Sequence, residues 1–228
     1  MRVDVVRCNF YFDDGKRRED MPSNFPATYS FTVGSQSGVS FSADTESLAE
    51  GLSEAVRLIR EKRFMEALKL SKGVFVYARN QQAEGVIDKL EDESLREIAY
   101  DAAYRAGFCL MELERMTTAS YYLETASHAL NYQYVQEYIN CLSNTMDVRA
   151  LPFIENVISH SPKPTSPEDI KAWEFHMAFL KRRKAYVLID FGRIAEARAY
   201  LTEMLDDPMN KDFARGELQY IDHISNGR

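Results

Sequence analysis

The stretch AYRAGFCLMELERMTTASYYL, residues 103–123, decides how the chain is read. Ala103, Ala106, Gly107 and Leu110 recur three or four residues apart, which places them on one face of a helix. Small residues on that face let a second helix pack close, and Ala119, twelve residues after Gly107, fills the matching contact with Leu123 one turn further on. The same interval of twelve separates Ala55 from Ala67 and Ala185 from Ala197. Each segment therefore predicts two helices joined by a short turn. A further pair, Tyr138 with Ala150, keeps the interval but puts a ring at the small position. It also has Asp147 where Phe64, Met116 and Ile194 stand in the others, and rests on Ala150, Ile154, Val157 and the closing Pro162.

Working outward, helical spacing begins near Thr45 with Leu48, Leu52, Ala55, Val56 and Ile59. Ser94 with Glu97 has the spacing of a capping box, and Ser166-Pro167-Glu168-Asp169 supplies a cap, a first-turn proline and two first-turn acids. Two prolines in Ser161-Pro162-Lys163-Pro164-Thr165 predict a loop. Asp212 to Ser225 reads as a terminal helix on Phe213, Leu218, Tyr220, Ile221 and Ile224. Before Thr45 the period is two: Val6, Cys8, Phe10 and Phe12, a turn at Asp13-Asp14-Gly15, then Tyr29, Phe31 and Val33, a Gly34–Gly38 loop, and Val39 and Phe41. Two or three short strands result. They are too few to stand alone and should dock on the helices or on a second chain. The expected organisation is a small β appendage over residues 1–42 and a helical domain over 43–228, closed by a capping helix at 211–225.

Composition narrows the function. With 45% hydrophobic and 28% charged residues the chain is globular. A formal charge of −7 and a pI near 5.2 repel a phosphate backbone, so no nucleic-acid partner is expected. The apolar run Val74–Ala78 is as long as any, too short for a membrane span, and Asp4 and Arg7 interrupt what a signal peptide would need. The expected location is cytoplasmic. Cys8, Cys109 and Cys141 are far apart without a Cys-x-x-Cys pair, as buried reduced thiols would be.

No phosphate-binding glycine loop and no His-Glu-x-x-His occurs, and Gly34-Ser35-Gln36-Ser37-Gly38 has glutamine where a nucleophilic serine would stand. His128, His160, His176 and His223 are scattered singly and read as surface hydrogen-bonders. The acidic runs Glu91-Asp92-Glu93 and Asp206-Asp207 fall at helix ends. No catalytic residue, metal site or cofactor is assigned, and the chain reads as non-enzymatic.

The placing of Ala103, Ala106, Gly107, Leu110, Ala119 and Leu123, with Ala185, Leu188, Gly192, Ile194, Ala197 and Leu201, resembles the tetratricopeptide-repeat (TPR) family, and among its members the uncharacterised bacterial TPR proteins. The resemblance covers residues 46 to 207. Ala67, Ala119, Ala150 and Ala197 are separated by 52, 31 and 47 residues against a usual repeat of about 34, so lengthened helices or insertions must intervene.

What the resemblance implies is a mostly α fold, a TPR-like α-α superhelix of right-handed helical hairpins carrying the N-terminal β appendage, with scaffolding as its role. In the family's register the concave groove is lined by Arg105, Phe108, Met111, Tyr132, Ile139, Phe179, Arg182, Arg183 and Tyr186. The run Lys181-Arg182-Arg183-Lys184 would then put Arg182 and Arg183 in the groove, although a solvated helix face accounts for four cations equally well. The lysine and asparagine that hold chaperone tails in some TPR proteins are replaced by Leu52 and Val56, which argues against that ligand. The expected partner is a protein or peptide segment with apolar anchors and acidic groups. A second reading fills the groove with the chain's own Val6, Phe10, Phe12 or Phe31 and makes the protein structural, a homodimer included. A third is an enzyme with an unrecognised site, which a deep pocket holding a carboxylate and a histidine would favour.

Deleting residues 1–42 is expected to expose apolar surface, because Phe10, Phe12, Phe31 and Phe41 need a face to cover. Size-exclusion chromatography and thermal melting of the truncated chain test this. Unchanged oligomeric state, solubility and midpoint would remove the docked-appendage reading.

Overall fold

Asp44 opens the described chain as a helix cap, its carboxylate accepting from the Ser47 amide at 2.9 Å, at the point where the hydrophobic period changes. The computed structural model describes residues 44–226; the strands expected over residues 1–42 lie outside them. Among the described residues nine α-helices follow one another: α1 (Thr45–Arg60), α2 (Phe64–Asn80), α3 (Glu93–Glu112), α4 (Met116–Ser127), α5 (Tyr132–Asn144), α6 (Ala150–His160), α7 (Pro167–Asp190), α8 (Ile194–Glu203) and α9 (Lys211–Asn226). Single 3-10 turns stand at Ile87–Lys89 and Met204–Asp206. The described chain is thus mostly helical, and none of these helices is long and apolar enough to cross a membrane. It divides into two compact units, one ending at Ala129 and the other beginning at Leu130.

Four of the interhelical turns share one construction. Lys62, Glu114, Met146 and Gly192 all have left-handed backbone, with φ of 59°, 59°, 52° and 71°. In each turn the left-handed residue donates its N–H three residues back and its successor donates five residues back. Lys62 reaches the Ile59 carbonyl at 2.9 Å and Arg63 the Leu58 carbonyl at 2.9 Å, and Glu114 with Arg115, Met146 with Asp147, and Gly192 with Arg193 do the same. This is the Schellman geometry, which satisfies carbonyls that a helix end would otherwise leave unpaired.

Counted back seven residues from the left-handed position, the crossing residue is Ala55, Gly107 and Ala185 in three hairpins. In the α5–α6 hairpin it is Ile139, so the register set on Tyr138 is corrected by one residue. There the connection Thr145–Arg149 is also two residues longer than its counterparts. Bulk at the crossing and a longer turn go together, and Tyr138 instead packs edge-on against Phe153, 4.9 Å between ring centroids.

The other three crossings are close. Ala55, Ala67, Ala119, Ala185 and Ala197 are all fully buried. Gly107 is the tightest point: a Cβ there would lie 2.5 Å from Leu123 Cγ and 3.3 Å from the Ala119 carbonyl oxygen. Uneven repeat spacing comes from long helices, 17 residues in α2, 20 in α3 and 24 in α7, and from the connection between α2 and α3. That connection is tied down by Asp88, which accepts from the Tyr100 hydroxyl at 2.8 Å and lies 2.8 Å from His128 Nδ1, and by Arg96 donating to the Leu90 carbonyl at 2.8 Å.

Two start signals need correction. Asp92, not Ser94, caps α3, because its carboxylate reaches the Leu95 amide at 3.1 Å. Ser166 occupies the cap position of α7 without a capping hydrogen bond from its side chain, and Pro167 stands in the first turn as expected.

Gly107→Ala is expected to destabilise the protein by about 1–3 kcal/mol despite the better helix propensity of alanine, because the new methyl overlaps a buried leucine. Chemical denaturation measures it. Gly107→Ala should cost far less in a Leu123→Ala background, and equal costs in both backgrounds would show that the crossing is not the cause.

Candidate functional site

In the first unit the expected groove residues lie on α3. Phe108 meets Phe64 edge-on and Tyr104 at a tilt, both at 6.4 Å between centroids, and all three rings are half-buried. Met111 is half-buried. Arg105 is committed within its own helix, paired to Asp101 at 2.7 Å. The expected open cation is therefore neutralised one turn away.

In the second unit α7 carries most of the candidates. Phe179 and Tyr186 both lie near Arg183, whose guanidinium stands 5.4 Å from the Phe179 centroid and 6.0 Å from that of Tyr186. Tyr186 packs edge-on against Phe213 of α9 at 5.2 Å. Phe175, one turn before Phe179, is 58% exposed, and Tyr186 is 37% exposed. Glu217 lies near Tyr186, and burial raises the pKa of both groups above their ordinary values. Phe175 and Glu217 escaped the sequence reading, which placed Phe213 in the terminal helix but not beside Tyr186. Phe175 had a signal, its spacing of four from Phe179; the other two belong to a helix whose docking no local pattern gives.

The basic run divides by direction, since successive residues on a helix point about 100° apart. Lys181 pairs with Asp207 at 2.6 Å. Arg182, expected in the groove, instead fastens the turn before α9: its Nε donates to Asn210 Oδ1 and its Nη2 to the Met209 carbonyl, both at 2.7 Å. Asn210 is fully buried and donates to Asp207 at 3.0 Å, so Arg182 belongs to a polar latch. Lys184 pairs with Glu155 at 2.8 Å and lies over Tyr200. Among the described residues no carboxylate pairs with Arg183.

Two more expectations change. Ile139 is fully buried and cannot face a ligand. Tyr132 is half-buried and stacks on His176, centroids 4.3 Å apart and planes 10° apart, with Gln136 Nε2 at 3.1 Å from His176 Nδ1. His176 is 1% exposed, a core residue rather than a surface hydrogen-bonder, and desolvation lowers its pKa to about 4. An amide nitrogen donates, so Nδ1 is the unprotonated acceptor of a neutral ring.

Cys109 and Cys141 are buried thiols outside any disulfide, and desolvation pushes their pKa up to about 12 and about 11, far from thiolate formation. Among the described residues no group of three or more His, Cys, Asp or Glu side chains is placed to hold a metal ion. A shallow cavity of about 490 Å³, lined by Arg79, Asn80, Gln82, Ala83, Glu84 and Gly85, holds a carboxylate but no histidine. Asp88 and His128 do form a carboxylate–imidazole pair, half-exposed at the surface, where it anchors the α2–α3 connection. No family model, no curated protein and no solved structure matches this chain.

Neutral burial of His176 makes stability depend on pH. Its folded pKa of about 4 lies below the unfolded value of 6.5, so the unfolded chain takes up the proton first as pH falls. Above pH 6.5 the residue contributes no slope. Between 6.5 and 4 it withdraws up to about 3 kcal/mol. Urea midpoints measured across that range should fall more steeply for the wild type than for His176→Phe, and identical slopes would refute a neutral buried ring.

Proposed function

We propose that this chain is a non-enzymatic binding module, built of helical hairpins of the TPR kind, that holds a peptide or protein segment on aromatic side chains of α7 and α9. Four turns of one construction, and three hairpins with small residues at the crossing, support the repeat reading. The single observation that carries the binding role is the aromatic surface of α7 and α9. Phe175 and Tyr186 remain exposed there beside Phe179 and Phe213, where a folded chain ordinarily covers such rings. Aromatic side chains with few rotatable bonds make strong anchors, because they desolvate a large area at a small cost in entropy. The Tyr104–Phe108–Phe64 cluster of the first unit offers a second, less exposed site of the same chemistry.

A library of octapeptides, each carrying one Phe or Tyr and two Asp or Glu, screened against the full chain by fluorescence polarisation, tests the proposal. Phe179→Ala is expected to weaken the best binder by about 2 kcal/mol, roughly thirtyfold, with an unchanged melting midpoint because the ring is only half-buried. Undiminished binding by Phe179→Ala would move the site away from α7, and no binder at all would refute the proposal.

A further inference from the structure

We infer that Arg183 alone, of the four cations from Lys181 to Lys184, meets a ligand, and that the ligand is a peptide segment carrying an Asp or Glu carboxylate beside an aromatic or aliphatic side chain. This rests on the binding role proposed above and assigns the partner's chemistry.

Three of the four cations are already engaged. Lys181 and Arg182 hold Asp207, Asn210 and the Met209 carbonyl, and Lys184 holds Glu155. Arg183 differs in kind. Its guanidinium lies against Phe179 and Tyr186, and no described carboxylate neutralises it, in a chain with 35 acidic and 28 basic residues. Rings beneath a guanidinium shield it from water on that side and strengthen its pull on an anion. A guanidinium carries its N–H donors in its own plane, where a carboxylate can meet it with two parallel hydrogen bonds.

The same surface supplies an apolar seat, since Phe175 is exposed one turn before Phe179 and Phe213 abuts Tyr186. Glu217 fixes the direction. Its carboxylate lies near Tyr186, so a second acid at that end would meet like charge, and the ligand's acid belongs at Arg183. Single-stranded nucleic acid also stacks on rings beside arginine, but the net charge of −7 opposes a phosphate strand.

The experiment compares Arg183→Gln, Arg183→Lys and Arg182→Gln in the full chain, using the best octapeptide from the acidic aromatic library and its Asp→Asn or Glu→Gln counterparts. Arg183→Gln should weaken binding about tenfold or more and flatten its salt dependence, with the melting midpoint unmoved. Arg183→Lys should fall between, keeping the charge and losing the fork. Arg182→Gln should lower the melting midpoint and, well below it, leave affinity unchanged. Neutralising the peptide's acid should abolish the difference between wild type and Arg183→Gln. If Phe179→Ala loses the peptide while Arg183→Gln keeps it, the surface stands and this inference falls. If no library member binds the wild type, both fall. Displacement of the peptide by oligouridylate in an Arg183-dependent manner would overturn the acidic-peptide assignment.

Discussion

The distance at which α3 and α4 cross governs the first unit. Leu123 occupies the place where a side chain on residue 107 would begin, so the pair fits only with glycine there. Ala102, Ala103 and Ala106 extend the same face and are all fully buried, which leaves α3 a smooth seat for its neighbours. Once that face is turned inward, helical geometry turns Tyr104 and Phe108 away from it. The placing of these half-buried rings is thus a consequence of the helix's most crowded contact. Ala185 and Ala197 impose the same orientation on α7 and bring Phe179, Arg183 and Tyr186 to the outside.

The turns show a related compromise. Lys62, Glu114 and Met146 adopt a left-handed backbone without being glycine, at a cost of roughly 1 kcal/mol each. Two hydrogen bonds close each turn and offset that strain by satisfying helix-end carbonyls. Short turns of this kind hold the members of each hairpin in fixed register, so a crossing position seven residues before the turn meets its partner every time. Where the connection lengthens, at Thr145–Arg149, the crossing no longer needs a small residue.

Polar groups in the second unit are sorted by how much water they keep. His176 stays neutral because stacking on Tyr132 and burial give its charge no solvation. Arg182, always charged, is placed where a buried asparagine and a carbonyl oxygen accept from it. Arg183 lies against the rings of Phe179 and Tyr186, and among the described residues no carboxylate pairs with it. Adjacent residues of the same type thus meet different surroundings, separated by a rotation of the helix.

Much of this was legible in the sequence. The onset of helix at Thr45, the small residues at three crossings and the terminal helix follow from spacing alone, since close packing leaves a periodic trace in the residues that pack. The α5–α6 register was misplaced by one because its crossing residue, Ile139, is bulky and its turn is longer, so the trace is absent. The candidate site was only half legible. Phe179, Arg183 and Tyr186 share a helix, and their grouping follows from its period. That Asp101 neutralises Arg105 could have been read from their spacing of four on one helix; that Arg182 is a fastener and that Phe213 and Glu217 come near Tyr186 were decided by tertiary structure. Local sequence sets which directions side chains point, while the groups that meet them there come from segments about 30 residues away, whose position only the packing of α8 and α9 determines.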